Sequence, residues 1–170
     1  LLPSMQITPA TSEDQLASVR RLFRDYADEL AIDLCFQGFA SELASLPGKY
    51  AAPDGRLFLA RRNGEDAGCV AMRDLGAGMC EMKRLFVRPV FRGNGIGRAL
   101  ARRVIAAARD EGYRRMRLDT QRSLGAARQL YAELGFREIP AYYENPHADV
   151  VFLELPLGDS AQEAPVTVGS

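Results

Sequence analysis

The chain of 170 residues, 47% hydrophobic and 26% charged, has the length and composition expected of one soluble globular domain; it has no apolar run near the ~20 residues of a membrane span, and its first residues lack the charged start, apolar run and small-residue cleavage site of a signal peptide, so none is expected. Its three cysteines, Cys35, Cys69 and Cys80, are odd in number in a chain long enough to bury a core unaided, which argues against a disulfide framework and leads us to expect a reducing, cytoplasmic setting. Net charge is zero, yet residues 83–137 hold 14 basic against 4 acidic side chains; the acidic remainder would repel a long phosphate polymer, so the basic third suits a small polyphosphate ligand better than nucleic acid.

Leu1–Ser4 precede Met5, which reads as an original start, and residues 159–170 form a polar, aperiodic tail expected to be disordered, leaving one domain over 5–158. A short strand is expected at 6–8, followed by a capping box in which Ser12 and Gln15 open a helix. Leu16, Val19, Leu22, Phe23, Tyr26, Ala27 and Leu30 give that helix one buried face, and it should end near Ala31. A second helix is expected over about 36–45. Residues 56–62 and 67–75 are strand-like and joined through Asn63-Gly64, a hairpin signal, and Gly76-Ala77-Gly78 turns the chain into a strand over 80–87. Ile96, Leu100, Val104, Ile105 and Ala108 mark a helix stopped by Gly112. A strand over 114–120, a helix with Ser123 as N-cap and Gly135 as its stop, and a strand over 149–155 complete the pattern. A hairpin run followed by alternating strands and helices predicts an α/β (α+β) fold, a mixed, mostly antiparallel twisted sheet flanked by helices.

The segment from Leu85 to Arg98 carries the chemistry. Pro89 ends a strand, and Gly93, Gly95 and Gly97 in alternate positions open a long helix. Such a loop leaves backbone N–H groups uncovered beside the positive end of a helix dipole, which makes a cradle for a pyrophosphate. The nucleoside-triphosphate loop is excluded because no lysine follows these glycines, and the dinucleotide fingerprint because its third glycine would fall on Arg98 or Leu100.

Arg92, Gly95 and Gly97 fit Arg-x-x-Gly-x-Gly, and here the chain resembles the GNAT superfamily of N-acetyltransferases. Cys80-Glu81-Met82-Lys83-Arg84-Leu85-Phe86-Val87 is similar to that family's central strand, and Leu130-Tyr131-Ala132-Glu133-Leu134-Gly135-Phe136 to its later cofactor-side helix. The resemblance implies the acyl-CoA acyltransferase fold and transfer of an acetyl group from acetyl-CoA directly to a primary amine of a small molecule, amino acid or peptide. It further implies that the cofactor's pantetheine arm pairs with the backbone of Leu85, Phe86 and Val87. The pyrophosphate would rest on the amides of Arg92, Gly93, Asn94, Gly95, Ile96, Gly97 and Arg98. One departure stands out: the Asn that the family often places early in the later helix is Leu124 here.

By the same resemblance, Tyr131 is the general acid for the departing thiolate, the backbone N–H of Val87 the oxyanion donor, and Glu81 the candidate general base. Strict alternation would put Glu81 on one face with Lys83, Leu85 and Val87. A raised pKa would suit it as a base, while an ion pair with Lys83 or Arg84 is an equal alternative. His147 has no partner at metal-ligand spacing, so no metal site is expected, and Cys80 reads as a core or lining residue. The family frames its acceptor with the first helices and late loops, here roughly 25–39 and 140–147, where Asp28, Glu29 and Asp33 could attract an amine and Tyr142 and Tyr143 could wall a pocket. A homodimer is expected by family analogy only. A competing expectation is a non-catalytic acyl-CoA-binding sensor or partner module on the same fold.

Overall fold

The computed structural model describes residues 4–31 and 38–158. The elements in chain order are β1 (Met5–Pro9), α1 (Glu13–Leu30), α2 (Phe39–Ser45), β2 (Arg56–Arg62), β3 (Glu65–Gly76), β4 (Met79–Val87), α3 (Ile96–Asp110), β5 (Arg115–Gln121), α4 (Gly125–Glu133), β6 (Arg137–Ile139) and β7 (Val150–Pro156). The strands form a seven-stranded sheet in the order β1-β2-β3-β4-β5-β7-β6. Every neighbouring pair is antiparallel except β4 with β5. The expected mixed sheet flanked by helices is what the chain forms. Among the described residues, no helix is long and apolar enough to cross a membrane.

Period-2 alternation divides the apolar side chains between two layers. Leu57, Leu59, Cys69, Ala71 and Phe86 pack with Leu16, Val19, Leu22 and Phe23 of α1 and with Leu46 and Tyr50 beyond α2. Phe58, Ala60, Val70, Met72, Cys80 and Met82 pack on the opposite face, against Ile96, Leu100, Ala101 and Val104 of α3 and Tyr131 of α4. The capping box at Ser12 and Gln15 forms as the sequence indicates, and Ala31 closes α1 in the left-handed region. The start expected for the second helix, at 36–37, lies outside the described residues, as do Asp33 and Cys35.

One expectation is corrected and one element is added. Ser123 is not the N-cap of α4: Leu124 takes that place with no side-chain cap, because the chain makes a tight Leu124 N–H to Gln121 O turn on leaving β5. The three-residue edge strand β6 has no counterpart in the sequence pattern, being too short to show a period.

The end of α4 explains why its motif reads as it does. Gly135 at φ 100° makes a left-handed cap. The N–H of Gly135 bonds to Ala132 O at 3.1 Å and that of Phe136 to Tyr131 O at 3.0 Å, both bonds of a Schellman motif. The motif's apolar contact is Phe136 against Tyr131, edge to face with ring centroids 5.6 Å apart, so the helix stop also fixes the tyrosine ring. A Cβ on residue 135 would meet Leu155 Cδ1 at 3.2 Å in a backbone region disfavoured for L-residues. Gly135→Ala should therefore cost about 1–2 kcal/mol, read from the midpoint of urea unfolding.

Candidate active site

The sheet opens at its centre. β4 and β5 pair over only Met79–Arg115, Cys80–Met116 and Glu81–Arg117, and beyond Glu81 the two strands diverge. The rest of β4, on the side towards β5, is an unpaired strand edge inside the sheet. The gap is a cleft of about 720 Å³ counting its open mouth; Tyr26, Lys83, Leu85, Asp119, Tyr131 and Asn145 are among its walls. Tyr26 and Asp119 lie on the α1 side and Tyr131 on the α4 side, so the cleft passes from one face of the sheet to the other.

A β-bulge sets what β4 presents to it. Cys69 pairs with Phe86 and Ala71 with Lys83, so Val70 alone opposes both Arg84 and Leu85, and Arg84 has φ 59°. The extra residue inverts the alternation. Cys80, Met82, Leu85 and Val87 face α3 and α4, whereas Phe86 packs with α1 and Arg84 bonds to Glu42 of α2. Glu81 thus shares its face with Lys83, Arg84 and Phe86, not with Leu85 and Val87 as uninterrupted alternation would have it.

Glu81 is fully buried. Its Oε1 accepts from Arg73 Nε at 2.8 Å and lies 3.7 Å from Lys83 Nζ, while its Oε2 accepts from the Tyr142 hydroxyl at 2.6 Å. Burial alone would raise the carboxyl pKa, but Lys83, Tyr142 and Arg73 outweigh it and hold the group below the usual carboxylate value. The raised pKa expected of a base is absent, and the ion pair with Lys83 is present. Arg84, the other expected partner, instead binds Glu42 through Nε at 3.0 Å, where Tyr50 OH also donates at 2.8 Å.

Tyr131 is 7% exposed at the cleft wall. Burial, reinforced by Tyr26 and Asp119, pushes its phenol above the ordinary value of 10, so it keeps its proton across neutral pH. Cys80 is buried, its thiol pushed up to about 12, and it donates to Arg115 O at 3.6 Å, which makes it a core residue. Among the described residues no cluster could hold a metal ion.

The glycine loop lies at the end of β4. Gly93 and Gly95 have φ of 82° and 77°, and a Cβ built on either would meet nothing within 4 Å. Gly95 is also the N-cap of α3, with no side chain capping the helix. The first intrahelical bond is Ala99 N–H to Gly95 O, so the N–H groups of Ile96, Gly97 and Arg98 precede the ladder. Open space over positive-φ glycines beside uncapped donors fits a pyrophosphate. The side chains of this loop are engaged with protein: Arg92 donates to Val87 O at 3.0 Å and pairs with Glu29 of α1, Arg98 pairs with Glu133 of α4, and Asn94 donates to Phe91 O.

Of the acceptor-side candidates, Asp28 is exposed and Glu29 is taken by Arg92, whereas Tyr142 and Tyr143 are half-buried around Phe152. Leu124, at the departure from the family pattern, lines the cleft with its apolar side chain. Asp119 was not singled out by the sequence, because a charged residue alternating with Met116 and Leu118 reads as the solvated side of a strand.

The acetyltransferase (GNAT) family profile matches residues 17–136. An uncharacterized N-acetyltransferase of Schizosaccharomyces pombe is 38% identical over 154 residues, covering 89% of this chain and 94% of that protein. A GNAT-family acetyltransferase structure from Staphylococcus aureus aligns with TM-score 0.76 at 22% identity, covering 91% of this chain and all of that one. An N-acetyltransferase from Thermoplasma acidophilum in complex with coenzyme A aligns at 0.69 and 16% identity, covering 90% and 99%. The chain belongs to the GNAT family and is an acetyltransferase.

Proposed function

We propose that the protein transfers an acetyl group from acetyl-CoA directly to a primary amine of a small molecule, amino acid or peptide. The observation that carries this is the split between β4 and β5, a cleft with Tyr131 on one face and Tyr26 and Asp119 on the other, beside the strand whose end runs into the glycine loop. Acetyl-CoA supplies the acetyl group as an activated thioester. The unpaired edge of Leu85, Phe86 and Val87 offers backbone partners to an extended pantetheine arm, in the manner of an added strand. The amides of Arg92 to Arg98 hold the pyrophosphate. The Val87 N–H supports the oxygen that gathers negative charge, Tyr131 delivers a proton from its hydroxyl to the leaving sulfur, and the proton lost by the attacking nitrogen passes to solvent at the open mouth of the cleft. Glu81 anchors Tyr142 over the acceptor half instead of serving as a free base.

The test of the donor site is thermal unfolding with and without acetyl-CoA, with ATP and NAD as controls. At about 100 times its dissociation constant, a ligand of the native state adds about 2.7 kcal/mol. A shift confined to acetyl-CoA is expected; none, or an equal one with ATP or NAD, would remove the reading. Gly95→Val should abolish the shift. Gly64→Val, in the β2–β3 hairpin at φ 80° and equally open, carries a similar backbone strain and should keep it.

A further inference from the structure

We propose that Asp119, with Tyr143 beside it, forms the seat of the acceptor's ammonium group, so that the acceptor binds as a protonated alkylamine and gives that proton to solvent at the open mouth of the cleft before its nitrogen attacks the thioester. This deepens the transfer reading above and rests on it. Asp119 lies two residues past the last β4–β5 pair, on the same face as Arg117, and lines the cleft. It is the only carboxylate among the described residues lining that cleft. The cleft's buried cations from β4 each have another carboxylate, Lys83 with Glu81 and Arg84 with Glu42, while Lys83 also feels the charge of Asp119.

The surroundings suit a cation. Phe152 is Asp119's cross-strand partner, and Tyr142 and Tyr143 stand edge to face against it at 5.1 and 5.2 Å. The Arg117 guanidinium already sits 5.2 Å from the Tyr142 ring centroid, so this aromatic group receives positive charge. Asn145 Nδ2 donates to the Tyr143 hydroxyl at 2.9 Å, and the Tyr143 ring packs on Phe152, the cross-strand partner of Asp119. Asn145 thereby holds Tyr143 in place without bringing a positive charge of its own. Tyr26 of the α1 side and Tyr131 of the α4 side line the same cleft as Asp119, which puts the carboxylate beside the meeting point of the two faces.

The experiment is calorimetry on the full chain saturated with CoA, which has no acetyl group to transfer. The probes are phenethylamine, n-butylamine and glycinamide, each against its uncharged counterpart: 2-phenylethanol, n-butanol and glycolamide. At least one ammonium compound should bind about tenfold or more tightly than its counterpart, and Asp119→Asn should erase that preference. Tyr143→Phe should weaken it in part, and in turnover both variants should raise KM for the amine more than they lower kcat. If no ammonium compound is preferred, or if the preference survives in folded Asp119→Asn, the proposal falls. Acetyl-CoA thermal shifts on the same samples separate the two failures: an intact shift with no ammonium preference sinks the seat alone, and a missing shift in the wild type sinks the donor site.

Discussion

Replacing Tyr131 with phenylalanine should lower kcat about 100- to 1000-fold while the thermal shift given by acetyl-CoA stays unchanged. The substitution keeps the ring and its edge-to-face contact with Phe136, so the Schellman motif that positions it survives. What is lost is one proton donor. The phenol's pKa lies above the ordinary 10, so in the wild type its ionisation does not limit the rate until pH has risen past that value. A 100-fold loss corresponds to about 2.7 kcal/mol of transition-state stabilisation. Single-turnover rates with saturating acetyl-CoA measure it, and a variant within about threefold of wild type would take the general-acid role away from Tyr131.

The largest effect on stability should come from Glu42→Gln. Glu42 receives Arg84 from β4, Tyr50 OH at 2.8 Å and Lys49 Nζ at 3.3 Å, and its side chain is 4% exposed. Removing one partner of a buried pair costs about 3–5 kcal/mol, a large part of the ~5–15 kcal/mol that holds a domain together. Replacing the buried polar set with apolar groups, as in Glu42→Leu with Arg84→Met and Tyr50→Phe, which removes the hydroxyl that would otherwise lose its acceptor, should recover most of that loss. The acid limb of stability provides a second readout. Burial would raise the Glu42 carboxyl, but Arg84, Tyr50 and Lys49 bring it below the ordinary 4.5. A depressed folded pKa stabilises fully above the unfolded value, and this contribution disappears as pH falls through the folded one. Urea unfolding from pH 6 down to 3 should show this decline in the wild type and a flatter limb in Glu42→Gln.

Much of the fold was legible because its signals are local. The Ser12 capping box, the Asn63-Gly64 hairpin and the stops at Gly112 and Gly135 are each set by residues a few positions apart. The parts of the proposed donor half could be read for the same reason, since the glycine loop is a continuous stretch and Tyr131 belongs to a helix-ending motif. The acceptor half is not continuous. Asp119, Tyr143 and Asn145 come together only because β7 lies between β5 and β6 and returns the loop over 140–149 to the cleft. The bulge at Arg84 was hidden for a different reason. A bulge is a relation between two strands, and alternation along one strand cannot reveal the extra residue that moves Glu81 to the face of Phe86.

The three-pair seam between β4 and β5 bears on how such an enzyme changes its diet. Beyond that seam the two halves of the sheet are joined by side chains and single bonds, such as Arg109 Nε to Leu157 O at 3.2 Å and Tyr113 OH to Asp54 O at 2.7 Å. The width of the gap can therefore be altered by repacking those joints, without breaking a ladder hydrogen bond in either half. Adapting the enzyme to bulkier or slimmer acceptors would begin at these hinge-side contacts, leaving the glycine loop and Tyr131 untouched.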